Sequence, residues 1–553
     1  MRNRMRTKAW FVLLVVIALS QAARAEIKLP AIFGDHMVLQ RDAAAPIWGT
    51  AAPGESVTVE FAGQKQNATA DAKGQWMVKL APLPASAEPR EMKVGSLVFR
   101  DVLVGEIWLA GGQSNMGLSL SGAHNAAEAI AQASDTQLRL FKVALKTAAE
   151  PQTNVSGQWQ LCTPDSAKGF SAVAYFFAKE LRRTLGCPVG VIGAPWGGTP
   201  IQTWISLDGL KKSPVLTRTL ADWEKAVAQY RKIQAEPELV AKYEAELKRW
   251  RKEVEPAFNA ATRTYNADKA AGKPVGERPQ PAWPEPQNPD PMGMPSPSRR
   301  PQTPAVSFNA MIAPLAPYAL RGVIWYQGEA NGNAGLEYRT LFPRLIQDWR
   351  AHWGTEFHFL FVQLPSFGED PVPVAQSGWP WLREAQALTL REPRTSMAIT
   401  IDVGNPKDVH PTNKLDVGKR LALLAQRDVY GQKLVASGPL YRDFAIKGDT
   451  IRVRFRETGS GLTIGQSPWL APGVTPIPTD KLIGFFIAGE DRQWKEASAK
   501  INGDSVIVSS PAVPKPVAVR YGWANSPRCN LYNKEGLPAT PFRTDDWEVR
   551  NDQ

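Results

Sequence analysis

Val102-Leu103-Val104-Gly105-Glu106-Ile107-Trp108-Leu109-Ala110-Gly111-Gly112-Gln113-Ser114-Asn115-Met116 decides how this chain is read. An apolar run from Val102 to Ala110 stops at two glycines, and a serine follows at once. That is the pattern of a buried strand giving way to a tight turn that lifts a hydroxyl above the sheet edge at a helix start. Backbone N–H groups at a helix start point outward and stabilise negative charge. Two readings of Ser114 follow. It is a nucleophile if a histidine elsewhere accepts its proton, or it is a helix N-cap in a glycine turn.

Downstream, strand and helix signals alternate. Ser171–Leu185 reads as a helix closed by Gly186, and Pro188–Ala194 as a strand. Arg321–Tyr326 (strand), Tyr338–Trp353 (helix), Phe357–Leu364 (strand), Leu382–Arg391 (helix), Ser396–Val403 (strand) and Lys414–Val429 (helix) continue the pattern. Near-continuous apolar strands between helices mean a parallel sheet covered on both faces. In such sheets function sits in the loops beyond the strand C-termini. The expected fold is a three-layer α/β/α unit flanked by β-sandwich-like regions.

At 553 residues the chain exceeds one core. Residues 1–25 have the basic start, short apolar run and Ala23-Arg24-Ala25 site of a secretory leader. The apolar run spans about ten residues where a membrane span needs about 20, so an exported, periplasmic or extracellular protein without membrane insertion is expected. Losing the leader removes Arg2, Arg4, Arg6, Lys8 and Arg24 and lowers the formal charge from +12 to +7. No basic cluster or nucleic-acid motif accompanies that charge. Residues 26–103 read as a β-sandwich of short alternating runs. Residues 104–205 and 305–430 form the α/β unit, 206–304 an insertion, and 431–553 a second β region. The insertion combines an apolar helical stripe (Trp223, Val227, Tyr230, then Leu239, Tyr243, Leu247, Trp250, Val254) with eleven prolines from Pro274 to Pro304. The stripe reads as the packing face of a helical hairpin. Cys162, Cys187 and Cys529 are too few for a disulfide scaffold, although one pair could form in an oxidising compartment, and their spacing fits no zinc site. No metal or cofactor is expected.

Five histidines compete for the role of base. His410 lies beyond the strand Ser396–Val403, at the same sheet edge as Ser114. His352 and His358 flank a connection at the opposite edge, and His36 lies in the β-rich leader region. His124, just after the serine turn, is the rival. Two further loops reach the Ser114 edge. Trp325-Tyr326-Gln327-Gly328-Glu329-Ala330-Asn331 offers an amide for an oxyanion and a carboxylate. Pro195-Trp196-Gly197-Gly198-Thr199 offers a close-approaching backbone. It lacks the G-x-G-x-x-G spacing of a dinucleotide loop.

Gly-Gln-Ser-Asn-Met, Trp-Gly-Gly-Thr, Trp-Tyr-Gln-Gly-Glu and Asp-Val-His-Pro occur here in order, after a Phe33–Arg41 leader motif. Together they resemble the SGNH-type hydrolases, specifically the sialate O-acetylesterase-like carbohydrate esterases. The resemblance implies removal of O-acetyl groups from sugars through an acetyl-enzyme. Ser114 would be the nucleophile and His410 the base. Ser114 N–H, Gly198 N–H and the Gln327 side chain would hold the oxyanion. Many SGNH enzymes carry an aspartate three positions before the histidine, where this chain has Lys407. Asp408 is the chosen orienting carboxylate, with Asp402 and Glu329 as alternatives. Glu329, Asn331, Trp196 and Trp325 are candidate substrate contacts, and Trp379 and Trp381 are further stacking candidates. The expected partner is an acetylated oligo- or polysaccharide, hemicellulosic or sialylated. The competing functions are a glycan-binding protein with an inactive core and an esterase for longer acyl chains.

Overall fold

The computed structural model describes residues 26–213, 216–270, 273–295, 299–368 and 378–547; the leader reading lies outside them. Seven strands form the central sheet: β1 (Leu97–Gly112), β2 (Asp135–Lys142), β3 (Trp159–Cys162), β4 (Val189–Pro195), β5 (Gly322–Tyr326), β6 (His358–Val362) and β7 (Thr395–Ala398). Their spatial order is β7-β6-β5-β1-β4-β2-β3, parallel throughout except for the antiparallel edge strand β3.

Alternation along the strands assigns the two faces. Trp108 of β1 packs edge-on against Phe177 and donates its indole N–H to Tyr430, on the side of the helices Ala172–Leu185 and Lys414–Asp428. Trp325 of β5, registered opposite Gly111, faces the other way and packs on Trp204 and Trp349 beside the helix Gly335–Trp353. Apolar side chains thus leave the sheet on both faces, as a parallel sheet sandwiched by helices requires. Ala172–Leu185 starts on the Ser171 cap and ends at Gly186, whose φ of 64° suits a glycine. Lys414–Asp428 approaches it closely at Gly418, where a Cβ would lie 2.6 Å from Phe176 Cβ.

The central strand β1 starts earlier than the apolar run implies. Its first half pairs antiparallel with Ser86–Val94 and parallel with Val38–Gln40 in the N-terminal β region; its second half lies between β4 and β5. The N-terminal region and the α/β unit therefore share one strand. Glu106 on that strand is fully buried and paired with Arg41 from the N-terminal region and with Arg321 Nε at 2.8 Å.

Among the described residues the insertion holds a short helix, Leu207–Lys211, and three long ones, Thr217–Ala235, Pro237–Glu253 and Glu255–Ala270, rather than the expected hairpin of two. Its apolar stripe does serve packing. Tyr243, Leu247, Trp250 and Val254 form one small core with Phe258 and Trp283, and Ala226, Met292 and Val306 another with Trp223, Val227 and Tyr230. The two ends of the insertion meet, with Ala305 N–H donating to Gln202 O at 3.1 Å and the Thr203 and Ser307 hydroxyls 2.9 Å apart.

Beyond residue 439 the chain forms antiparallel sheets, with Leu440–Lys447, Thr450–Arg456, Ser505–Ser509 and Ser498–Asn502 in one, and Phe485–Ala488 and Ala518–Tyr521 in another. The buried Arg383 guanidinium joins this region to the core by donating to the carbonyls of Leu364, Pro365, Ala524 and Asn525. Cys162, Cys187 and Cys529 are buried and unpaired. No helix among the described residues is long and apolar enough to cross a membrane.

Candidate active site

Strand β1 ends in Gly111 and Gly112 because nothing larger fits. A Cβ on Gly112 would lie 2.1 Å from Tyr326 O, and its φ of 131° is one that L side chains rarely adopt. Gln113 then occupies the N-cap of the short helix Ser114–Gly117 without capping it through its side chain. Its Oε1 instead accepts N–H groups of Gly328 and Ala330, at 3.4 and 3.1 Å, and so fixes the loop after β5. Ser171 Oγ donates to Met116 O at 2.6 Å and secures the far end of the turn.

Ser114 is thus the first helical residue and not the cap. The first N–H groups of a helix have no partner within it, so its amide is open to a bound anion. Ser114 Oγ lies 2.8 Å from His410 Nε2 although 296 positions separate the two residues. Of the five histidines, this one meets the serine. His124, the rival, stacks on Trp469 with ring centroids 4.4 Å apart, and its N–H bonds to Thr412 O at the rim of the same loop.

Asp408 Oδ1 accepts the His410 backbone N–H at 2.9 Å and lies 3.8 Å from His410 Nδ1, a charge contact rather than a hydrogen bond. The other two carboxylates are engaged elsewhere. Asp402 forms a two-pronged pair with Arg420, at 2.6 and 2.7 Å, and accepts from the Tyr532 hydroxyl. Glu329 accepts from Asn115 Nδ2 at 2.5 Å. Burial pulls the His410 imidazole below its ordinary range, helped by Lys414 and opposed by Asp408.

The loop Trp196–Thr199 runs against the serine. A Cβ on Gly197 would lie 3.1 Å from Ser114 Cβ, and Gly198 turns with a φ of 73°. The insertion reaches this loop, with Gln302 Nε2 donating to Gly198 O at 3.3 Å and the Arg300 stem packed on Gly198.

Several expected contacts are corrected here. Gln327 is fully buried; its Nε2 donates to Thr199 O and Asn331 Oδ1, and its Oε1 accepts from the Tyr338 hydroxyl. Both donor hydrogens are used, one within its own loop and one on the Trp196–Thr199 loop, so this amide is not an oxyanion donor. Asn331 is buried as well, bridging Gln327, the Ile201 N–H and Gln202. It holds the insertion's root rather than a sugar. Trp325 is 1% exposed and walled by three aromatic rings, and Trp196 is 5% exposed; neither offers a ring face. Trp379 and Trp381 are also buried. Asn115 and Lys414, both fully buried beside the serine, were not singled out from sequence. The signal for Asn115 was its place next to Ser114, whereas Lys414 looked like any lysine at a helix start.

No family model matches the chain. Among solved structures, a carbohydrate acetylesterase from Xanthomonas citri is 36% identical, with a TM-score of 0.73 over 94% of this chain and 100% of that one. The chain belongs to the carbohydrate acetylesterases. The chain is also similar to sialate O-acetylesterases. The Mus musculus protein is 28% identical over 584 residues, 96% of this chain and 96% of its own length. The Homo sapiens protein is 27% identical over 583 residues, covering 96% and 95%. This carbohydrate acetylesterase is therefore a sialate O-acetylesterase-like carboxylic ester hydrolase, with an SGNH-like α/β domain and added β regions.

Proposed function

We propose that the protein is an exported acetylesterase that deacetylates sugars by a serine mechanism, with Ser114 as nucleophile and His410 as base. The observation that carries this reading is the 2.8 Å approach of Ser114 Oγ to His410 Nε2 at the C-terminal edge of the sheet. In the first step Oγ bonds to the ester carbonyl carbon while its proton passes to Nε2. The carbonyl oxygen becomes an oxyanion, held by the backbone N–H groups of Ser114 and Gly198. Collapse breaks the bond to the sugar oxygen, which leaves with the proton from His410. Water then attacks the acetyl-enzyme, gives its proton to His410, and releases acetate and free Ser114. Asp408 supports the imidazolium by charge at 3.8 Å. The substrate class is acetylated hemicellulose, such as xyloglucan or xylan, or O-acetylated sialic acid.

Acetate release from 4-nitrophenyl acetate tests the chemistry. Ser114→Ala is expected to lower kcat by about 10⁴-fold or more; an unchanged rate overturns the reading. Mass spectrometry of acetylated xyloglucan, xylan and sialosides after incubation identifies the substrate. The pH profile has a signed expectation. A base works when neutral, so activity rises as pH climbs through the pKa of His410. Burial lowers that pKa from 6.5, so the acidic limb of kcat/KM is expected below that value.

A further inference from the structure

We infer that Lys414 is a positioning residue: with Glu329 it sets the Asn115 amide that ties the nucleophile turn to the base loop. This rests on Ser114 and His410 as nucleophile and base.

Lys414 is the first residue of the helix Lys414–Asp428, and its side chain is fully buried. Nζ donates to Asn115 Oδ1 at 2.5 Å. An ammonium only donates, so the Asn115 amide must turn its oxygen towards it. The amide nitrogen then faces two acceptors, Glu329 Oε1 at 2.5 Å and Val409 O at 2.8 Å. Asn115 follows the nucleophile and Val409 precedes the base. One amide thus links the backbones that carry both, and the opposite flip would break all three bonds.

Packing alone does not account for a lysine here. Burying a cation is costly, and a helix N-terminus is the wrong end for one. A methionine would fill the space without either cost. The compensation comes from every side of the pocket. Glu329 faces Lys414 from the loop after β5, and the Tyr326 ring lies 5.2 Å from Nζ. Asp408 and His410 face it from the base loop. Burial brings the ammonium down to about 7, against the pull of Glu329 and Asp408. Deprotonation as pH rises through that value gives Nζ a lone pair, so it can accept as well as donate and no longer dictates which way the Asn115 amide turns. The reliance of His410 on this tie is consistent with its aspartate, which is 56% exposed and not hydrogen-bonded to the ring.

The test measures kcat and KM for 4-nitrophenyl acetate across the neutral range, for wild type, Lys414→Met, Glu329→Gln and Ser114→Ala. Lys414→Met is expected to keep KM, lose about 10²-fold in kcat, as a slightly misplaced catalytic pair does, and show no alkaline fall. Glu329→Gln removes an anion that favours the ammonium, so the alkaline fall moves to lower pH. A folded Lys414→Met with wild-type kcat and an unchanged alkaline fall overturns the inference. Should that variant not fold, an unshifted fall in Glu329→Gln overturns it instead. A Ser114→Ala that still turns over defeats the nucleophile reading; an inactive Ser114→Ala beside a wild-type-like Lys414→Met defeats the positioning role alone.

Discussion

The N-terminal β region and the helical insertion are both additions to the α/β unit, and they are attached in opposite ways. The first contributes half of the strand that ends at the nucleophile, together with Arg41, which neutralises part of a buried carboxylate. The second leaves and re-enters the core at adjacent points, Gln202 and Ala305, and carries one small core of its own and another shared with Val306 and Ala149. A region that shares a strand folds with the site, whereas a region joined at a closed root is tied to it only locally.

Three changes probe that contrast, in falling order of effect. Deleting residues 26–94 strips β1 of its partners along half its length and exposes the apolar face it covered. No soluble folded protein is expected, as read by yield and far-UV circular dichroism; a folded, active truncation would break the contrast. Glu106→Gln leaves the part-buried Arg321 and Arg41 short of their buried anion and is expected to cost up to about 3 kcal/mol in urea unfolding at neutral pH. Burial raises the Glu106 pKa, but the Arg321 and Arg41 guanidiniums outweigh it and hold the carboxyl below its ordinary range. A depressed carboxylate stabilises above its unfolded pKa, so the wild-type advantage should fade as pH falls through the folded one. Replacing residues 217–301 by a short linker should shift stability by at most about 2 kcal/mol, because loop closure depends weakly on length. Activity on 4-nitrophenyl acetate should survive that excision, while the profile on polysaccharides changes with the loss of the Arg300 contact to Gly198.

The sheet was legible because its strands are apolar on both faces, a pattern only a doubly covered parallel sheet explains. The serine turn was legible because two glycines interrupt such a strand. Trp325 could have been read correctly: a tryptophan inside a strand buried on both faces has no open side. Gln327 could not. Its amide is turned inward by the loop geometry at Gly328, whose φ is 154°, and its partners Thr199 and Tyr338 are distant in sequence. Lys414 was hidden for a related reason, since only the assembled fold carries it beneath Asn115. The early start of β1 was missed because residues 97–101 alternate in burial, the mark of its antiparallel half.

The three thiols bear on handling and habitat. Burial pushes Cys162 up to about 12 and Cys529 to about 11, and raises Cys187 as well. The thiolate is the form that is alkylated or oxidised. Iodoacetamide at neutral pH should therefore leave the intact mass of the folded protein unchanged. Activity of the folded enzyme is expected to be the same with and without a reductant, which a paired assay checks.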